Sequence, residues 1–184
     1  LLSEVQMNSY EFHIWGSNAS NKNRPNIMVF DLDPDEELSL NKLRLGVKYL
    51  KKVLDNLNLK SFLKTSGGKG YHVCIPFKNN LTWKKFYKIS EDIANILENT
   101  YPELFTTNIR KENRKGKIFI DYLRNQKSAT FVAPYSIRLR KSAPISMPIS
   151  WNELDKIKPN EITIDSVIKR ANKKDPWKDF FTSN

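Results

Sequence analysis

Two carboxylates spaced two positions apart are the residues of this sequence best suited to chemistry. Asp31 and Asp33 end a short apolar run, Ile27 to Phe30, which lies between two prolines and predicts a buried strand. Because side chains alternate along a strand, both acids face the same side and repel each other unless a cation lies between them. Oxygen ligands of this kind favour a hard cation, Mg²⁺ or Mn²⁺, over zinc. The alternative is a solvated turn after the strand.

A glycine-rich turn supplies the second chemical signal. The segment Ser66-Gly-Gly-Lys-Gly70 lies between two predicted strands, and its glycines let backbone N–H groups approach a ligand closely. Ser66 adds a hydroxyl group, Lys69 a cation and His72 an imidazole, a combination that suits a polyphosphate. The spacing is not that of a Walker loop, and no helix follows. The alternative is a glycine hairpin with an exposed lysine.

Two further segments carry charged residues that would complement the acid pair and the glycine-rich turn. Asp121 ends the apolar run of residues 118–120 and would complete a three-carboxylate cluster suited to two-metal phosphoryl transfer. Arg138 and Arg140 repeat the two-residue spacing with the opposite sign, and paired guanidinium groups bind phosphate oxygens well. Taken singly, each has an ordinary alternative: a solvated acid at a strand end, and an edge strand with charged outer residues.

The composition favours a polyanionic partner. The chain has 184 residues, 39% of them hydrophobic, which is enough for one core and most simply one domain. It carries 31 lysines and arginines against 20 acids, a net charge of +11. The sequence shows no long apolar run and no signal peptide, and its single cysteine, Cys74, favours a reducing compartment. Five basic residues between positions 110 and 117 form either a solvated loop or a site that follows a nucleic-acid backbone.

Strands and helices that alternate along the chain must position these residues. Strands are predicted at residues 10–15, 27–33, 61–65, 71–77, 105–109, 118–122 and, with a break at a proline, 130–140. Ser39 and Thr82 are predicted to cap two amphipathic helices, Ser150 begins a short helix with a capping box, and a last helix includes Ile164 to Ala171. The pattern predicts a mixed sheet with helices packed on one face, in the α+β or α/β class.

Four segments together resemble a known family. The polymerase domain of bacterial DNA ligase D, a member of the archaeo-eukaryotic primase superfamily, carries the same motifs in the same order. They are Asp31-Leu-Asp33-Pro, Thr65-Ser-Gly-Gly-Lys-Gly-Tyr-His72, Phe119-Ile-Asp121-Tyr and Ala133-Pro-Tyr-Ser-Ile-Arg138-Leu-Arg140. Glu11-Phe-His-Ile-Trp-Gly-Ser17 also resembles the strand that precedes the metal motif of the family. The resemblance implies an α+β, primase-like catalytic core with a mixed, mainly antiparallel sheet, with residues 1–175 as the catalytic domain and 176–184 as a tail.

The resemblance implies a metal-dependent nucleotidyltransferase that extends primers, often with ribonucleotides, and fills gaps and ends in non-homologous end joining. Asp31, Asp33 and Asp121 would hold two Mn²⁺ or Mg²⁺ ions. The incoming NTP or dNTP would contact His13, Ser66, Gly67, Lys69, Gly70, His72, Asn125, Arg138 and Arg140. DNA ends or gapped DNA would contact Arg110, Lys111, Arg114, Lys115 and Lys117. Candidate partners are Ku and a ligase domain, in the bacterial cytoplasm at the nucleoid.

Two departures from the family keep other functions open. Arg124 stands where relatives carry a glutamine, three residues after the third acid. We also expect that most of the segment upstream of the first family motif, which serves the pocket for the downstream 5′-phosphate, is missing. The alternatives are a catalytically incomplete nucleic-acid-binding module, a primase of a mobile element, and a metal nuclease. The glycine turn and the arginine pair argue against a nuclease, because they suit a triphosphate leaving group.

Overall fold

The chain forms a six-stranded sheet, a small two-stranded sheet and two long helices. The computed structural model describes residues 2–78, 80–170 and 174–183. The strands are β1 (His13–Trp15), β2 (Ile27–Pro34), β3 (Phe62–Thr65), β4 (Tyr71–Pro76), β5 (Phe105–Thr106), β6 (Ile118–Asp121), β7 (Thr130–Val132) and β8 (Pro148–Ile149). The α-helices are α1 (Leu2–Gln6), α2 (Leu40–Asn56), α3 (Trp83–Thr100) and α4 (Ile164–Arg170). Short 3₁₀ helices are at Ala19–Asn21, Lys111–Arg114, Leu123–Asn125, Trp151–Glu153 and Phe180–Thr182.

The main sheet is mixed but mainly antiparallel, as expected. Its strand order is β5-β6-β2-β4-β3-β8, and every neighbouring pair is antiparallel except β5 and β6. Strands β1 and β7 pair separately, also antiparallel. The longest strand, β2, lies inside the main sheet between β4 and β6. The sheet therefore presents the ends of β2, β4 and β6 side by side, and these strands carry most of the candidate site.

The two long helices cover one face of this sheet. Ser39 Oγ accepts a hydrogen bond from the Lys42 amide at 3.3 Å, and Thr82 Oγ1 accepts one from the Lys85 amide at 3.4 Å, so both predicted caps are confirmed. The apolar stripes of both helices join the alternate residues of the sheet in one core, which includes Leu43, Val47, Leu50, Leu54, Phe86, Ile93, Leu97, Met28, Phe30, Leu32, Tyr71 and Val73. No helix within the described residues is long and apolar enough to cross a membrane.

The opposite face of the sheet is apolar at one end only. Val29, Phe62 and Cys74 form a second, smaller core there with Phe131 of the small sheet and with Phe180. Along β2 the same alternation then continues from the apolar residues into Asp31 and Asp33, which belong to this face but lie beyond the small core. The small sheet also lines a cavity beside Asp31. The acidic half of this face is the floor of the candidate site.

Several elements differ from the sequence-based expectations. Residues 136–140 do not form a strand: they make only an isolated bridge, Ile137 to Ile145. The preceding Pro134 has no N–H to donate, and Tyr135 has φ 65°, a left-handed conformation that turns the chain away. Strands β1 and β5 are shorter than expected. Ala171, at the end of the expected last helix, lies outside the described residues.

The C-terminal segment, expected to be a tail, packs on the sheet. Trp177 Nε1 donates a hydrogen bond to the Leu63 carbonyl at 2.9 Å, and its ring stacks on Phe180 at a centroid distance of 4.6 Å. Phe180 is only 4% exposed, and Phe62 meets its ring edge-on. Burial of these aromatic side chains makes residues 176–183 part of the fold. The small core thus includes side chains from beyond the predicted boundary at residue 175.

Candidate active site

The three candidate acids lie on one face of two adjacent strands. Asp31 of β2 is directly opposite Asp121 of β6 in the antiparallel register, and Asp33 follows two residues along β2. Residues two apart on a strand share a face, so the predicted common face of Asp31 and Asp33 is confirmed. Asp121 belongs to the same face because it is opposite Asp31. Both β2 and β6 are interior strands of the sheet. Of the three acids, Asp31 is paired on both sides, with His72 of β4 and with Asp121 of β6.

Asp31 is held by a histidine from the next strand. His72 of β4 is opposite Asp31, and its Nε2 lies 3.2 Å from Asp31 Oδ2. Burial lowers the pKa of His72, since the charged ring would lose its hydration. Burial alone would raise the pKa of Asp31, but His72 and the positive charge of Lys64 hold it below its usual value. The second oxygen, Asp31 Oδ1, is buried without a hydrogen-bond partner.

Asp33 and Asp121 show the electrostatic strain expected of clustered carboxylates. Lost solvation raises the pKa of Asp33 to about 7, and the negative charges of Asp31 and Asp121 add to this effect. Burial also raises the pKa of Asp121. Two donors oppose that rise: the Leu123 amide bonds Asp121 Oδ1 and Arg124 Nε bonds Asp121 Oδ2, both at 3.0 Å. At neutral pH this cluster therefore needs compensating positive charge.

The donor set fits a divalent cation, although the side chains are not yet arranged around one. Among the residues that the structure describes, no group of three His, Cys, Asp or Glu side chains is positioned to hold a metal ion as it stands. The unpartnered, buried Asp31 Oδ1 and the repulsion that raises the pKa of Asp33 are both features that a bound cation would relieve. The residues that would hold it are Asp31, Asp33 and Asp121.

The glycine turn and the arginine segment pack against each other. Arg138 Nη1 donates a hydrogen bond to the Ser66 carbonyl at 2.6 Å. A Cβ atom on Gly67, which has φ 66°, would lie 2.5 Å from Arg138 Cγ, and one on Gly68 would lie 3.3 Å from Arg140 Cζ. Only glycine leaves room for the two arginines to lie this close to the turn. Although residues 136–140 are not a strand, the fold thus brings both cationic segments together.

These groups line two cavities, one that includes Asp33 and one that includes Asp31. The larger, of about 700 Å³, is lined by Asp33, Lys69 and Arg140, by part of the basic segment and by several acids. The smaller, of about 100 Å³, is lined by Asp31, His72, His13, Arg124, Thr130, Phe131, Val132 and Arg138. In the larger cavity Lys69 Nζ forms an ion pair of 2.7 Å with Glu36 Oε1. The predicted nucleotide-contacting side chains therefore surround the acids rather than form one continuous patch.

The basic segment divides into two groups. Lys111, Arg114 and Lys115 line the larger cavity, whereas Arg110 and Lys117 lie outside it. The guanidinium of Arg114 is already engaged: its Nε donates to the Asn108 carbonyl at 3.0 Å, its Nη2 donates to the Ile109 carbonyl, and it lies 3.5 Å over the Phe119 ring. Arg114 thus holds the loop together, and Lys111 and Lys115 are the more available cations.

Comparison with known proteins agrees with this geometry. Residues 1–177 match the family described as LigD, primase-polymerase domain. The chain belongs to this family. It is 39% identical over 184 residues to the multifunctional non-homologous end joining protein LigD of Pseudomonas aeruginosa, covering 98% of this chain and 22% of that protein. It is 33% identical over 174 residues to the bifunctional non-homologous end joining protein LigD of Bacillus subtilis, covering 93% of this chain and 28% of that protein.

A solved structure of the same family has the same fold. The polymerase domain from Mycobacterium tuberculosis ligase D in complex with DNA matches with a TM-score of 0.88 and 28% sequence identity, over 97% of this chain and 66% of that one. The chain spans only roughly a quarter of the length of the curated LigD relatives: 22% of the Pseudomonas aeruginosa protein and 28% of the Bacillus subtilis protein. The family of polymerase domains generally uses divalent metals, in agreement with the three carboxylates.

One residue of this LigD-family site has a different setting from the one expected. Asn125 was expected at the nucleotide, but it is 1% exposed and its amide bonds the backbone. Its Oδ1 accepts from the Val29 amide, and its Nδ2 donates to the Val29 carbonyl, both at 2.8 Å, and to the Tyr122 carbonyl at 2.9 Å. Asn125 thus continues the pairing of β2 beyond the end of β6. This makes it a weak candidate for a nucleotide contact.

Sequence reasoning gave no role to two residues of this LigD-family site. Glu11 Oε1 lies 2.9 Å from His13 Nε2 and 3.0 Å from Arg138 Nε, while its Oε2 accepts from the Leu139 amide at 2.9 Å. Burial alone would raise the pKa of Glu11, but these hydrogen bonds and the Arg138 charge lower it. Arg124, noted above only as a departure from the family, donates a hydrogen bond to Asp121. The signal for Glu11 was its place on the strand face of His13.

Proposed function

We propose that this chain is the catalytic core of an end-joining repair polymerase, which adds nucleotides to the 3′ end of a primer strand at a DNA gap or end. The observation that carries the proposal is the Asp31–Asp121 pairing, with Asp33 on the same face beside two cationic segments. The end-joining names of the relatives and the DNA complex of the structural neighbour support it.

The reaction assigned to this site is a nucleotidyl transfer. The 3′-hydroxyl oxygen of the primer attacks the α-phosphorus of the nucleotide, the bond from that phosphorus to the bridging oxygen breaks, and pyrophosphate leaves with the bonding electrons. The hydroxyl proton passes to water. Divalent cations, Mg²⁺ or Mn²⁺, held by the three carboxylates would supply charge neutralisation at the reacting phosphate. No described side chain is required as a general base, since the carboxylates serve to bind cations.

The residues of the glycine turn and the arginine segment would bind the triphosphate. Lys69, Arg138 and Arg140 are suited to the negative charge that builds on the leaving pyrophosphate, and the amides of the turn are suited to its oxygens. His13 and His72 are assigned to the same nucleotide because they line the small cavity beside Asp31. In this arrangement the triphosphate lies beside the three acids, which stay free to bind the cations.

The basic side of the larger cavity would hold the DNA backbone. Lys111 and Lys115 lie there, opposite the acids, and a net charge of +11 favours a polyanion. A ligase domain and Ku, as partners in end joining, belong to the same proposal. The names of the relatives support them only as far as the words non-homologous end joining go.

A primer-extension assay on gapped DNA tests the function. Wild-type protein is incubated with a labelled primer, with dNTPs or NTPs, and with Mg²⁺, Mn²⁺ or a chelator. We expect addition of one to a few nucleotides that depends on the divalent cation. DNA binding without extension favours the incomplete binding module, and a shortened primer favours the nuclease. Extension of an unprimed template would point to the primase alternative.

A further inference from the structure

A row of four titratable side chains crosses the main sheet. Asp121, Asp31, His72 and Lys64 are successive cross-strand partners on β6, β2, β4 and β3, so all four belong to the face that carries the site. Strand pairs that oppose each other in this way keep their side chains in line. The first three are part of the site described above. The fourth, Lys64, has no part in it so far.

Lys64 is a buried cation without a carboxylate. It is 0% exposed, and its Nζ donates a hydrogen bond to Ser146 Oγ at 2.6 Å. Within residues 2–78, 80–170 and 174–183, no Asp or Glu oxygen lies within 4.0 Å of this ammonium group. Asp31, the acid that acts on Lys64, is itself paired with His72. Burial of an ammonium group without a counter-charge has a large desolvation cost, which a hydrophobic side chain of similar size would avoid.

Lys64 is linked through its hydrogen-bond partner to the two segments assigned to the triphosphate. Lys64 is two residues before Ser66, on the same face of the chain. Its partner Ser146 donates its own hydroxyl to the Thr65 carbonyl at 3.0 Å. The Ser146 amide donates to the Ser136 carbonyl at 2.9 Å, which ties it to the segment that brings Arg138 to the turn. The hydrogen bonds of Ser146 therefore connect the ammonium group to the strand that enters the glycine turn and to the arginine segment.

The electrostatic surroundings of Lys64 are mixed. Burial lowers its pKa to about 8, and Arg138 acts in the same direction, while Asp31 and Cys74 act in the opposite one. Burial also lowers the pKa of the His72 ring, its cross-strand neighbour. Lys64 is thus mostly charged at neutral pH, and the residues around it leave that charge incompletely balanced. An anion bound at the glycine turn and the arginine segment would supply the missing negative charge.

We propose that Lys64 is a positioning residue whose buried ammonium group serves as counter-charge to the triphosphate bound between the glycine turn and the arginine segment. The proposal rests on the proposed function only in naming a triphosphate as the anion. Lys64 does not touch the ligand: it acts across the turn, and its charge is balanced when the pocket fills. This explains why the fold retains a charge that its own acids do not pair.

Two substitutions separate the charge of Lys64 from its hydrogen bond. Lys64→Met keeps the volume and removes the charge, and Ser146→Ala keeps the charge and removes its hydrogen-bond partner. Lys52→Met, on the exposed face of α2, is the control for removing one lysine charge. Binding of inorganic tripolyphosphate, with and without MgCl₂, is measured by calorimetry at pH 6.5, below the pKa of Lys64, and thermal unfolding is measured for each variant.

We expect Lys64→Met to weaken tripolyphosphate binding about tenfold while its Tm is unchanged or higher, because the desolvation cost is gone. Ser146→Ala should lower the Tm and keep the affinity within about threefold, and Lys52→Met should change neither. If Lys64→Met lowers both the Tm and the affinity, the result for Ser146→Ala decides between the two explanations. Retained affinity in Ser146→Ala supports the role of the Lys64 charge. An equal loss of affinity in Ser146→Ala overturns the proposal. Wild-type affinity in Lys64→Met, or no binding by the wild-type chain, also overturns the proposal.

The same variants distinguish failure of this inference from failure of the proposed function. Wild-type primer extension with unchanged tripolyphosphate binding in Lys64→Met overturns the role of Lys64 and leaves the polymerase function standing. If the wild-type chain does not extend primers but its tripolyphosphate binding depends on Lys64, the polymerase function is overturned and the role of Lys64 stands. Where extension is seen, Lys64→Met should raise the nucleotide KM about tenfold with a smaller effect on kcat, whereas a misfolded site would lower kcat as well.

Discussion

Asp31 and Asp121 lie directly opposite each other on two antiparallel strands inside the main sheet. Carboxylates in opposed positions on neighbouring strands destabilise a sheet unless another group compensates their charge. The compensation found in the structure is partial: His72 contacts Asp31, and Arg124 contacts Asp121. The remaining demand for positive charge is the physical basis for a cation site at this pair, and Asp33 lies where it would complete the ligand set.

The first prediction concerns Asp33. Asp33→Asn should abolish primer extension and leave DNA affinity unchanged or slightly higher, because the substitution removes a ligand and also removes repulsion of phosphate. Extension and DNA binding are measured on the same gapped substrate. Asp155→Asn, at an exposed ion pair with Lys48, is the control and should behave as wild type. Equal loss of binding and extension would indicate a folding defect instead of a catalytic role.

The second prediction separates two neighbours in the basic segment. Lys115→Ala should reduce the slope of log affinity against log salt by about one unit, as expected for the loss of one phosphate contact. Arg114→Ala should instead loosen the loop that Arg114 holds through the Asn108 and Ile109 carbonyls, and so lower the affinity with less change in slope. DNA affinity is measured between low and moderate salt for each variant. An unchanged slope in Lys115→Ala would mean that Lys115 faces solvent only.

Local patterns were sufficient to predict the main elements and the acids. Alternation along β2 places Asp31 and Asp33 on one face whatever the rest of the chain does. The Ser39 and Thr82 caps likewise depend on neighbours three residues away. The partner of Asp31 on β6 is 90 positions later in the sequence, and no local pattern specifies that register. The sequence offered Asp121 as a third acid at a strand end, and the resemblance to the family supported its grouping with the first two.

Long-range packing explains what the sequence did not reveal. Lys64 follows two apolar residues in a short strand, and nothing in its neighbourhood indicates that its charge is buried without a carboxylate. Trp177 and Phe180 follow a polar stretch, and they became part of the small core only because Phe62 offered a surface. Arg138 and Arg140 fit the period of a strand, but the left-handed turn at Tyr135 prevents one from forming.

The third prediction concerns the ion pair between Lys69 and Glu36. Lys69→Ala should weaken nucleotide use roughly ten- to a hundredfold, mainly in KM, because a charge-assisted contact to the triphosphate is lost. Glu36→Gln should lower the nucleotide KM, though by no more than about fivefold, since the pair is exposed and Lys69 would no longer be held by the acid. Steady-state extension rates at varied nucleotide concentration test both. A higher KM in Glu36→Gln would show that Glu36 positions Lys69 productively.

The fourth prediction tests the position of Asn125. Asn125→Ala should lower the free energy of unfolding by about 2–4 kcal/mol, because the buried Val29 amide and carbonyl groups lose their partner. Asn125→Asp keeps the acceptor for the Val29 amide but places a buried carboxylate oxygen against the Val29 and Tyr122 carbonyls, which need a donor, and should lose at least as much stability. Denaturant unfolding measures the stability, and extension assays measure the nucleotide KM of the folded Asn125→Asp protein. A raised KM in that variant would restore the nucleotide contact expected from the sequence.

The last prediction is the pH dependence of stability that follows from Lys64. Its pKa is lowered to about 8 in the folded protein, from a usual value of 10.5, so between these two values the unfolded chain binds more protons than the folded one. The free energy of unfolding must therefore rise with pH across this window, and the cost of burying the ammonium group is fully present below about pH 8. A shift of this size corresponds to roughly 3 kcal/mol. Lys64→Met lacks the titrating group, so the stability of wild type relative to this variant should increase from pH 7 to pH 10. Denaturant unfolding of both proteins at several pH values measures that difference, in which the contributions of titrating groups that do not interact with Lys64 cancel. A difference that stays flat with pH would mean that Lys64 keeps an ordinary pKa and is compensated within the folded protein.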